Sequence, residues 1–88
     1  MSALTKDTSQ FVETVIEEET LVMRLDTGDF FALRDTARSI WQAIDGARDK
    51  DAVVEAVAAE YGVSPDSIVG EVDAFLAELG TAGLLRRD

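Results

Sequence analysis

The chain contains neither histidine nor cysteine. That removes imidazole and thiol nucleophiles, disulfides, the usual zinc sites and the side chain that most often moves protons near neutral pH. What remains in quantity is carboxylate: 18 acidic residues stand against 8 basic ones, a formal charge of −10. Two carboxylates can serve as general acid and base when their surroundings push their pKa values apart. No pair is singled out here, because most of the acids fall at helix starts, in turns or opposite apolar stripes, where a solvated carboxylate is ordinary. "DTGD", Asp26–Asp29, is also too short for a calcium loop, which spreads its oxygen ligands over about twelve residues. No catalytic residue and no metal or other cofactor is expected.

The distinctive pattern suits binding instead. In "TGDFFALRD", Thr27–Asp35, two phenylalanines are adjacent in a segment of extended character, so they must point to opposite faces. Phe31 and Leu33 share one face, Phe30 and Ala32 the other. We assign Phe31 and Leu33 to the core and Phe30 to the more exposed face, although alternation alone does not choose between them. As a sheet edge, this strand would offer free N–H and C=O groups, and beside an apolar helix it would form a peptide-binding geometry. The plain alternative is a partly exposed Phe that only covers the sheet.

These residues need elements to hold them. "SQFVETVIEEETLVMRLDTGDFFAL" is rich in Val, Ile, Thr and Phe and alternates at about period two, which predicts strands over 10–17, 20–25 and 29–33. "EEET" and "DTGD" supply the turns, with Gly28 free to take positive φ. From Asp35, a plausible N-cap, the period becomes helical: Ala37, Ile40, Trp41 and Ile44 form one stripe, which Gly46 ends. A second stripe starts at Asp49 and Asp51, runs through Val53, Val54, Val57, Ala58 and Tyr61, and stops at Gly62. Trp41 and Tyr61 read as core aromatics, with the indole N–H bonded to a carbonyl or water.

A third helix follows Ser64 as cap and Pro65 in the first turn, and its stripe is Ile68, Val72, Phe75, Leu76 and Leu79. Leu84 and Leu85 should tuck back under the core. The expected class is α+β: a three-stranded antiparallel β-meander followed by three helices, winged helix-turn-helix-like. Residues 1–9 are expected to be a flexible lead and residues 10–88 a single winged-helix-like domain, since 88 residues leave no room for a second core.

Charge excludes the obvious use of a helix-turn-helix. Between Ser64 and Leu79 there is no basic residue, so a DNA phosphate would meet only repulsion. Anionic membranes are disfavoured for the same reason. No secretory signal and no apolar run of spanning length is present, which points to the cytoplasm.

The segment from Leu21 to Leu85 resembles the PqqD-like family, the precursor-peptide recognition elements of ribosomally synthesised and modified peptides. The resemblance is carried by "GDFFAL", then "DTARSIWQAIDGARDKDAVVEAVAAEYGV", then "VDAFLAELGTAGLL". Arg34 departs from the Asn that many members have after the strand's leucine. The resemblance implies a domain without DNA function that binds the leader of a precursor peptide. The leader would add to the third strand and lie in a cleft against the third helix. The residues implied from the strand are Asp29, Phe30, Phe31, Ala32 and Leu33; from the helix we choose Val69, Val72, Asp73 and Leu76, because they lie beside or on its apolar stripe. It further implies a monomer working with separate enzymes. These are a leader peptidase and an ATP-dependent cyclase in lasso-peptide pathways, the setting favoured by "DTARSIW" and the chain length, or a radical SAM enzyme in pyrroloquinoline quinone synthesis. A competing reading is an acidic winged-helix module that dimerises or docks on another protein.

Overall fold

The computed structural model describes residues 3–86, so the first two residues of the expected lead and the last two of the expected domain lie outside it. The β-branched and aromatic residues between Phe11 and Leu33 form three strands, β1 (Phe11–Ile16), β2 (Glu19–Arg24) and β3 (Phe30–Leu33), followed by α1 (Asp35–Ala43), α2 (Lys50–Tyr61) and α3 (Pro65–Thr81). The class is therefore the expected α+β, three antiparallel strands and then three helices. β1 is two residues and β3 one residue shorter than predicted, β2 keeps its length but starts one residue earlier, and Asp29 falls just outside β3.

The sheet order is β1-β2-β3, so β2 is central and both neighbours are edges. Val22 pairs with Glu13 on one side and Phe31 on the other, and Thr20 pairs with Leu33. This register places Phe11, Thr20, Val22, Phe31 and Leu33 on one face of the pleat. Against that face lie α1 and the helices behind it, with Ile40, Trp41, Val53, Val72 and Leu84 fully buried. Phe11 meets Trp41 edge-on with ring centroids 5.2 Å apart, a favourable arrangement for two aromatic quadrupoles.

The turn from β2 to β3 forms as its residues require. Gly28 adopts φ +76°, its N–H donates to the Arg24 carbonyl at 2.8 Å, and the Thr27 hydroxyl accepts from the Asp29 N–H at 3.2 Å. Asp49 caps α2 by accepting the Ala52 N–H at 2.9 Å, and Gly62 in the left-handed region ends it. Leu84 is buried and Leu85 packs against the core, as expected.

Several local expectations need correction. Arg34, not Asp35, occupies the N-cap of α1, and its side chain makes no capping bond; Asp35 is the first helical residue at φ +51°, a conformation that Asp tolerates better than most residues. Ser64 sits at the N-cap of α3 without a side-chain cap bond, and the Ser67 hydroxyl donates to the Ser64 carbonyl instead, at 2.7 Å. Tyr61 is not core. It is 44% exposed, at the end of α2, and its hydroxyl lies 3.0 Å from Ser39 Oγ. Residues 4–7 of the expected flexible lead are bonded into the body: Leu4 donates to Arg48, Asp7 to Leu84, and Arg86 donates back to Thr5, which gives otherwise unpaired backbone groups their partners.

Candidate functional site

The open edge of β3 can be read group by group. The Arg24 N–H donates to the Asp29 carbonyl at 2.9 Å, so these two residues form a bonded pair one step beyond the last strand pair. Antiparallel ladders alternate bonded and non-bonded pairs. Val22 with Phe31 and Thr20 with Leu33 are therefore the bonded pairs, and the N–H and C=O groups of Phe30 and Ala32 face away from β2, toward the open edge. A strand added there would find two donors and two acceptors at the spacing of a sheet.

The side chains divide the same segment differently. Leu33 is buried, Phe31 packs partly buried against the core and Phe30 is 70% exposed, the assignment made from sequence. Phe30 shares the outer sheet face with Val12, Leu21 and Met23, around a small apolar hollow. Asp29, just before the strand, is exposed.

Where β3 ends, a cleft of about 470 Å³ opens between α1 and α3, lined by Arg34, Asp35, Thr36, Ala37, Ile40, Glu71, Ala74, Phe75 and Glu78. Its apolar lining is Ala37, Ile40, Ala74 and Phe75, and its charged lining is Arg34, Asp35, Glu71 and Glu78. Arg34 is held in place by an ion pair with Glu19. A neighbouring hollow of about 300 Å³ beside the β1–β2 turn is lined mainly by charged residues, including Glu17, Glu18 and Glu19. With no aromatic wall, it is less suited to an apolar side chain.

None of the four α3 residues expected at the site lines this cleft. At about 100° per residue, and taking Val72 as zero, Glu71, Phe75, Glu78 and Ala74 fall at roughly −100°, −60°, −120° and −160°, whereas Val69, Asp73 and Leu76 fall at roughly +60°, +100° and +40°. Val72 itself is fully buried. Leu76 packs partly buried against the core. Val69 lies in a separate hollow shared with Val54 and Glu55 of α2. Asp73 pairs with Lys50 of α2 at 2.9 Å, and that hydrogen bond with its charge attraction raises the Lys50 pKa. Sequence reasoning missed Glu71, Ala74 and Glu78, and it placed Phe75 on the stripe without assigning it to the site. Helical periodicity could group these residues on one face, but only the packing of α1 shows that this face borders the cleft.

Trp41 is held away from any such role. It is fully buried, its Nε1–H donates to the Glu13 carboxylate at 3.1 Å, where a carbonyl or water was expected, and the Lys6 ammonium lies 4.2 Å from its ring centroid. Burial lowers the Lys6 pKa, opposed by the charges of Glu13 and Asp45.

Residues 19–85 match the family described as Coenzyme PQQ synthesis protein D (PqqD). The chain belongs to the PqqD family. Its fold is similar to that of a solved structure, TbiB1 in complex with the TbiA(beta) leader peptide, with a TM-score of 0.78 and 27% sequence identity over 90% of this chain and 94% of that one. No curated protein sequence matches. Among the described residues of this PqqD-family chain, no helix is long and apolar enough to cross a membrane.

Proposed function

We propose that this PqqD-family chain is a non-catalytic recognition element that binds the leader of a ribosomally made precursor peptide. The leader pairs with the open edge of β3 and lays alternate side chains toward the α1–α3 cleft. The observation that carries this reading is the outward-facing peptide groups of Phe30 and Ala32 next to an apolar cleft, in a fold similar to one solved with a leader peptide. Main-chain pairing supplies affinity that tolerates many side-chain changes, and the cleft supplies selectivity. Of the residues expected from sequence, Phe30 and Ala32 make the main-chain contact, flanked by Asp29, Phe31 and Leu33, whose own pairing is to β2. Val72 and Leu76 support it from behind, and Val69 and Asp73 lie toward α2.

The chain works in the cytoplasm as a monomer and delivers the leader to separate enzymes. A leader peptidase and an ATP-dependent cyclase of a lasso-peptide pathway are the partners favoured by "DTARSIW", Asp35–Trp41. The family description favours a second reading, in which the partner is a radical SAM enzyme in pyrroloquinoline quinone synthesis. Calorimetry with the full precursor and with a precursor lacking its leader, both from the gene beside this one, tests the proposal. Binding that disappears with the leader supports it, and equal binding by both excludes it.

A further inference from the structure

We infer that the peptide segment seated in the α1–α3 cleft presents an apolar side chain flanked by Lys or Arg, and that Glu71 and Glu78 set this preference. The inference rests on the leader-binding reading and adds the side-chain chemistry of the ligand.

The cleft's charges are one-sided. Among the described residues its only cation, Arg34, is already paired with Glu19. Among the described residues, Asp35, Glu71 and Glu78 form no ion pair, although α3 does neutralise its other exposed mid-helix acid, Asp73, with Lys50. Three unpaired carboxylates thus share the lining with the apolar Ala37, Ile40, Ala74 and Phe75. An acidic peptide would add like charge to this lining, and a wholly apolar one would partly desolvate carboxylates without giving them a partner. A basic, apolar segment satisfies both parts of the surface. This charge complementarity is continuous with the open β3 edge, because Arg34 and Asp35 follow Leu33 directly.

Spacing narrows the pattern further. Glu71 and Glu78 are two helical turns apart, about 10.5 Å along the axis at 1.5 Å per residue. An extended peptide lying along α3 covers that distance in about three residues at 3.3 Å each. Side chains of an extended peptide alternate between faces, so basic residues four positions apart with an apolar residue midway put all three toward the cleft, and the long stems of Lys and Arg take up the remaining few ångströms to the two carboxylates. Both glutamates are exposed, so neutralising them leaves the core untouched.

The test is a random dodecapeptide display library panned against the wild-type chain. Fluorescence anisotropy of the tightest selected peptide is then measured on the wild type, on an E71Q/E78Q double variant and on A32P. The expected peptides carry Lys or Arg at that spacing around an apolar residue, bind the double variant at least about tenfold more weakly in 50 mM salt, and lose most of that difference at 500 mM. Selected peptides without basic residues, or equal binding by the double variant, overturn the inference while leaving strand addition intact. Peptides that bind A32P as well as wild type contradict strand addition itself, and a library that yields no binder overturns both.

Discussion

Glu13 of β1 accepts the indole N–H of Trp41 in α1 at 3.1 Å, which ties an edge strand to the centre of the helical layer across 28 positions of sequence. The donor belongs to a side chain with no exposed surface. Replacing Glu13 by Ala leaves that N–H unpaired, at a cost of about 1–3 kcal/mol. Glu13→Gln keeps an acceptor and should cost less. Urea unfolding followed by the fluorescence of Trp41, the chain's one tryptophan, reads both values.

The acid end of the stability curve should depend on Asp45. Its carboxylate accepts the Ala47 N–H at 2.9 Å and the Arg48 N–H at 3.1 Å, and pairs with the Arg48 guanidinium at 2.8 Å. The Ala47 hydrogen bond, followed by those to Arg48 and its charge, holds the pKa below the ordinary 3.8. A group with a depressed folded-state pKa adds stability above its unfolded pKa and loses it as pH falls through the folded value. The stability difference between wild type and Asp45→Asn should therefore be constant at neutral pH and shrink below about pH 4. Thermal unfolding from pH 7 to pH 2.5 measures it.

The two adjacent phenylalanines should separate stability from binding. Phe30→Ala removes a side chain that is 70% exposed and should change stability by less than about 0.5 kcal/mol. Leu33→Ala, at a buried position on the opposite face, should cost about 2–4 kcal/mol. If Phe30 contacts the leader, its variant should weaken binding while melting like wild type. Paired calorimetry and thermal unfolding check the two effects on the same samples.

A proline at Ala32 probes the main chain directly. The Ala32 N–H faces the open edge, so its loss does not break the ladder to β2, and edge strands accept proline there. One deleted hydrogen bond and the added ring should weaken leader binding about tenfold. Proline at Phe31, whose N–H pairs with Val22, should unfold β3 instead. Circular dichroism distinguishes the two variants.

Much of this was legible in the sequence because it depends on local rules. Period-two alternation put Phe31 and Leu33 on one face and Phe30 on the other without choosing the inward one, Gly28 and Gly62 marked the reversals, and the α3 stripe identified Val72 and Leu79 as core. The cleft was harder to find. Val69 and Asp73 lie to one side of Val72 as symmetrically as Phe75 and Glu71 lie to the other, and only the packing of α1 and α2 against α3 decides which side faces the cleft and which faces α2. Tyr61 was misread for a related reason, since its stripe runs past the end of the core that α2 covers. Neither the Glu13–Trp41 bond nor the bonding of residues 4–7 to the C-terminal segment leaves a local signature.

The central claim is that a leader peptide pairs with β3 and lies in the α1–α3 cleft. Its most direct test is an amide-resolved NMR titration of the isotope-labelled chain with the leader of the precursor encoded beside it. The account predicts saturable shifts centred on Phe30, Ala32 and Arg34 and on Glu71–Glu78, with the Phe30 and Ala32 amides newly protected from exchange. Saturable shifts confined to β1 or to the α2 side of α3, or no shifts at high micromolar peptide, would contradict it.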